Sequence, residues 1–139
     1  MKIKLIVFFM LLYITPSLCL AGDVVVIVNK SVPETALSKK DVGNIYLGKK
    51  TSWSDGNKIK FVVLTGGDAH STFLNKYIGK TDSQFNTFWK KQVFTGKGSP
   101  PKELDSDQAM VDFVVQTAGA IGYVSTGADV SKVKTITIN

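Results

Sequence analysis

The chain reads as a single α/β domain, a mixed sheet flanked by helices, and three observations lead there. Short β-branched or apolar runs alternate with stretches of helical periodicity about ten residues long. Glycine punctuates the transitions, at positions 48, 66, 67, 79, 96, 98 and 119. No internal repeat, low-complexity tract or composition shift marks a second domain.

Residues 24–28 (VVVIV) are a continuous β-branched run, which predicts a strand buried on both faces and therefore central in its sheet. Residues 29–33 are a loop by composition. Ser38 has the chemistry of a helix N-cap, with Leu37 before it and Val42 four positions on in staple geometry. Val42, Ile45 and Tyr46 form that helix's apolar stripe, and Gly48 ends it. Asp55-Gly56 predicts a turn, with Trp53 covering the core edge beside it, and residues 59–64 a strand. The next helix turns Phe73, Leu74, Tyr77 and Ile78 inward and closes at Gly79. Another begins near Ser83, with Phe85, Phe88, Trp89 and Phe94 as its core stripe. After a flexible loop at residues 95–101, a fourth helix starts near Asp107 with Met110, Phe113 and Val114 inward. Asp105 and Asp107 suit a helix start. Residues 121–124 and 135–138 finish the chain as strands.

The first residues follow another logic. Lys2 and Lys4 precede an uncharged apolar run at residues 5–14, which Thr15-Pro16-Ser17 breaks. Ten helical residues reach roughly 15 Å, about half a bilayer core, so the pattern is that of a signal peptide rather than a stable membrane anchor. Cys19-Leu20-Ala21 places cleavage after Ala21, leaving 118 of the 139 residues as one domain, 22–139. The expected destination is the periplasm or the medium.

Composition then excludes several chemistries. Cys19 is the only cysteine and departs with the signal, so neither a disulfide nor a thiol nucleophile is expected. The formal charge of +6 includes Lys2 and Lys4 and falls to +4 without them, too little to argue for nucleic acid. Every basic residue is Lys, so no guanidinium fork is available for an anion. His70 is the only histidine. Its neighbour Ser71 faces another direction on a helix, which argues against a nucleophile pair, and no metal cluster or cofactor motif is present.

The constellation that carries chemistry is residues 65–72 (TGGDAHST). A glycine loop between a strand and a helix presents unpaired N–H groups carrying partial positive charge, and these bind an oxyanion without Arg. Gly66, Gly67 and Asp68 form the turn; Ser71 and Thr72 offer hydroxyls, and His70 a titratable donor. Thr65 and the more distant Lys97 are secondary candidates. Asp68 acting only as a helix cap is an equally economical reading of the same residues.

Residues 37–49 (LSKKDVGNIYLGK), 53–56 (WSDG), 96–98 (GKG) and 119–124 (GAIGYV) together resemble, in order, the phosphate-binding periplasmic solute-binding proteins. The resemblance implies a single lobe of a type II periplasmic-binding-protein fold. In that family a strand, an Arg, an Asp and Ser-Gly-Thr at a helix start hold phosphate. Here the Arg position falls near Thr65. The Ser-Gly-Thr falls on Ala69-His70-Ser71, or on His70-Ser71-Thr72 in a register that also matches Asp68 to the Asp. The resemblance thus implies a non-catalytic, exported protein that binds phosphate or a related oxyanion and is linked to phosphate uptake. A rival expectation is an interaction module, derived from such a lobe, that docks on an envelope protein or on a second copy of itself.

Overall fold

The computed structural model describes residues 23–139; the signal-peptide reading of residues 1–21 lies outside them. The run VVVIV becomes β1 (Val24–Val28), paired on both sides and buried at every position but Val25. A two-residue strand, β2 (Ala36–Leu37), leads into α1 (Lys39–Tyr46). Ser38 caps α1 by accepting the Asp41 N–H at 3.0 Å, and the Asp41 carboxylate reaches back to the Ser38 N–H. Gly48, at φ +74°, takes the chain out of the helix in a backbone region that glycine favours.

β3 (Lys60–Leu64) then feeds α2 (Asp68–Phe73), which continues without a break into a π-helical turn, Leu74–Ile78. α3 (Asp82–Phe94) starts with a reciprocal cap between Thr81 and Gln84, and α4 (Asp107–Gln116) is capped by Ser106. Between them lies β4 (Lys102–Leu104), absent from the sequence expectation. β5 (Ala120–Ser125) contains all of the GAIGYV segment but its first glycine. The expected last strand divides into β6 (Lys134–Thr135) and β7 (Thr137–Ile138), which pair with different partners, β1 and β2.

The five-stranded sheet has the order β4-β3-β5-β1-β6. β3 runs parallel to β4 and β5, whereas β1 is antiparallel to β5 and β6. Helices pack a core centred on Tyr46, Phe73 and Tyr123, in which Phe73 and Tyr123 stack face to face at 3.8 Å. One expected core residue is corrected: Phe94 is 92% exposed. Tyr77, Ile78, Phe88 and Phe113 are partly buried and pack against the core, and Val111 joins the α4 stripe. Trp53 does cover the core edge, and its indole N–H donates to the Gly119 carbonyl at 2.9 Å.

Candidate functional site

The loop after β3 has the form the glycines predict. Gly67 is the N-cap of α2, with φ +91° and ψ 176°, a conformation essentially reserved for glycine. With no side chain, it cannot close the helix start as Ser38, Thr81 and Ser106 close theirs. Asp68 leads the helix, and α2 has no side-chain cap bond. The N–H groups of Gly66, Gly67, Asp68 and Ala69 meet no acceptor among the described residues. Gly66, Gly67 and Asp68 are exposed. Nothing lies within 4 Å of where a side chain would begin at either glycine.

These amides open onto a concavity of about 260 Å3. Its other walls are Leu64, the start of α4 at Asp105, Ser106 and Asp107, and Ser125 at the end of β5. Two helix starts therefore converge, contributing partial positive charge from the same end of the sheet. The Ser106 hydroxyl is engaged by the Ala109 N–H at 3.0 Å, and the Asp107 carboxylate accepts the Ser125 N–H at 3.3 Å. Three carboxylates and no lysine line this concavity. An anion entering it must therefore tolerate carboxylates, which one bearing its own proton does by donating to them.

His70 points elsewhere. It is 3% exposed, and its Nε2 lies 2.9 Å from the Asp82 carboxylate while its Nδ1 meets the Tyr123 hydroxyl. A carboxylate only accepts, so Nε2 carries the hydrogen. In the neutral ring Nδ1 then accepts from Tyr123, whose oxygen in turn accepts the Leu64 N–H at 3.0 Å. Burial pushes the Tyr123 hydroxyl pKa up, so the group stays a neutral donor. This chain ties α2 to β3, β5 and α3. The expectation of His70 as a donor at the loop is corrected, because both its nitrogens are already engaged.

Of the other residues expected at the site, Gly66, Gly67 and Asp68 line the concavity. Ser71 is exposed and Thr72 half-buried, one helical turn further on, and neither lines it. Thr65 is exposed, and its amide donates to the Leu104 carbonyl at 2.9 Å. Lys97 lies in the exit from α3, its amide on the Gln92 carbonyl, and does not reach the site. Asp105, Ser106, Asp107 and Ser125 line it in addition to the residues the sequence points to. The only sequence signal for them was the cap chemistry of Ser106-Asp107, which marks a helix start but not its neighbours in space. Among the described residues no group of three His, Cys, Asp or Glu could hold a metal, and no helix is long and apolar enough to cross a membrane.

A family model described as the PBP superfamily domain matches residues 14–138. Among solved structures, the chain is similar to an ABC-type phosphate transport receptor from Vibrio cholerae, at 20% identity and TM-score 0.56, covering 83% of this chain and 45% of that one. PstS from Borrelia burgdorferi matches at 18% identity and TM-score 0.64, covering 84% and 47%. A substrate-binding protein from Clostridium perfringens, solved with bound phosphate, matches at 19% and 0.63, covering 83% and 44%. At these identities the likeness is one of fold, and the chain spans less than half the length of each of these structures. No curated protein sequence matches the chain. The mixed five-stranded sheet with its helices corresponds to one lobe of those structures, and the chain belongs to the PBP superfamily.

Proposed function

We propose that the protein is an exported, non-catalytic solute-binding protein that takes up phosphate or a closely related oxyanion at the start of α2. The observation that carries this reading is the row of amides at Gly66, Gly67, Asp68 and Ala69, without acceptors among the described residues, on residues that line a concavity. Backbone N–H groups are the principal donors, in keeping with a chain that has no Arg. The rim carboxylates Asp68, Asp105 and Asp107 favour an anion that carries a hydrogen, which phosphate does near neutral pH and sulfate does not. The similar structures named for phosphate support the choice of ligand class, and the apolar run at residues 5–14 supports export.

With one lobe only, the ligand keeps a face in water, so binding is weak and salt-sensitive, with Kd of about 1 mM. Isothermal titration of residues 22–139 with phosphate and sulfate tests this. The expected result is saturable heat with phosphate, at least about tenfold tighter than with sulfate, and weakening as salt rises. Absence of heat from both anions at tens of millimolar would end the solute-binding reading.

A further inference from the structure

A second, larger feature, which oxyanion binding does not use, lies beside β4. A groove of about 580 Å3 runs between the C-terminal half of α3 and residues 100–103, walled by Trp89, Val93, Phe94, Pro100, Pro101 and Glu103. Phe94 is 92% exposed and Val93 42%. Its floor is fixed. The Trp89 indole N–H donates to the Tyr46 carbonyl at 3.1 Å, and the ring is flanked by Gly48 and Gly98, where an added Cβ would stand 3.1 Å from it. Gly98 thus lets the loop close against the indole, and the groove is held open by packing rather than left over from a collapsed edge.

β4 is also an edge strand, and its main chain is half used. The Leu104 carbonyl receives the Thr65 N–H, so Leu104 faces β3, and alternation turns the N–H and C=O of Glu103 outward. Neither of those groups has a backbone partner among the described residues. Pro100 and Pro101 have no N–H to offer, which confines new pairing to Glu103 and its immediate neighbours. An unpaired edge strand beside an apolar slot is the geometry that strand addition uses: main-chain bonds on the edge and a side chain in the slot.

The charge around the groove selects the occupant. Lys90 lines the groove together with its single carboxylate, Glu103, and Lys91 and Lys97 are exposed on α3 and on the turn that follows it, while the Lys102 ammonium reaches over Phe113. A second copy of the chain would bring the same lysines face to face, which opposes self-pairing. An anionic membrane would satisfy the lysines, but it supplies no main chain to Glu103 and does not fill a concave slot. We infer that the β4 edge and the Trp89–Phe94 groove form a docking site for an extended, acidic segment of another protein that carries an aromatic or large aliphatic side chain.

The test is selection of random dodecapeptides displayed on phage against the purified protein, in parallel with its Phe94→Ser and Lys90→Glu variants. Both positions are exposed, so both variants are expected to fold, and their thermal unfolding verifies it. The expected winners are acidic peptides with one aromatic or large aliphatic anchor. Either substitution should weaken them at least about tenfold, reversing charge pattern should abolish them, and millimolar phosphate should leave them unaffected. Hydrogen exchange at the Glu103 amide should slow in the complex. Any of four results overturns the inference: no enrichment, winners indifferent to Phe94, binding that phosphate displaces, or an unprotected Glu103 amide. Binding of vesicles containing anionic phospholipid that depends on Phe94, with no peptide enrichment, would assign the face to a membrane; a concentration-dependent dimer lost in Phe94→Ser would assign it to self-association.

Discussion

At Gly119 an added Cβ would stand 2.4 Å from the Lys58 carbonyl oxygen, and at Gly122 the same distance from the Met110 sulfur; at Gly66 and Gly67 it would meet nothing within 4 Å. Both segments are glycine-rich and belong to one sheet: the first enters and forms β5, and the second is the turn that leaves β3. In the first, glycine is demanded by crowding: β5 enters the sheet so close to its neighbours that a methyl group has no room. In the second, Gly67 is demanded by its backbone angle and Gly66 by neither angle nor space, so its value lies in leaving the amides open. One corner uses glycine to build the lobe, and the other uses it to keep a surface available.

The largest test of this contrast is Gly119→Ala. It combines a φ of +76° with a clash against backbone, which cannot swing aside as a flexible side chain can. A loss of about 3 kcal/mol is expected from the left-handed and overpacking costs together, measured by urea unfolding. A change below about 1 kcal/mol would mean that the β5 entry is looser than its packing implies.

Next in size is Tyr123→Phe, which leaves the Leu64 N–H and the His70 Nδ1 without their shared partner. About 2 kcal/mol is expected for groups stranded in the core, again by urea unfolding, with binding at the loop perturbed through α2. Alkaline pH probes the same anchor. Burial raises the pKa of Tyr46 and Tyr123 above the ordinary tyrosine value, so their neutral forms belong to the folded state. Their contribution is complete below the unfolded-chain value, about 10, and is lost as pH rises beyond it. Tyrosinate absorbance from these two residues should therefore appear only together with unfolding. Titration of Tyr46 and Tyr123 at the same pH as the partly buried Tyr77, before unfolding, would contradict their burial.

Gly66→Ala is the smallest in stability and the most informative about the open corner. With room around it and no positive φ, it should alter stability by no more than about 0.5 kcal/mol. It nevertheless adds a methyl group to a residue that lines the concavity and should weaken phosphate about tenfold or more by titration. Unchanged affinity would move the ligand away from this loop.

What could be read in the sequence follows how local the cause is. The cap at Ser38, the stop at Gly48 and the buried run of residues 24–28 depend on near neighbours, and all three stand as expected. β4 was hidden because two of its three residues are charged and its only partner is a parallel strand some forty residues earlier. Phe94 falls outside the core because it lies five residues past Trp89 and so about 140° around the helix from it, out of phase with the buried stripe. The glycine loop itself was legible, but its surroundings were not. Residues 64–69, 105–107 and 125 meet only through the order of strands in the sheet, and the capture of His70 by Tyr123 and Asp82 needs three elements in place.

The central claim is that open amides at the start of α2 receive an oxyanion, and amide chemical shifts observe those groups themselves. Titrating the 15N-labelled protein with phosphate should move the Gly66, Gly67, Asp68 and Ala69 resonances together along one saturating curve, with the Glu103 and Gly119 amides still. Movement confined to residues near surface lysines, or no movement at all up to tens of millimolar phosphate, would contradict it.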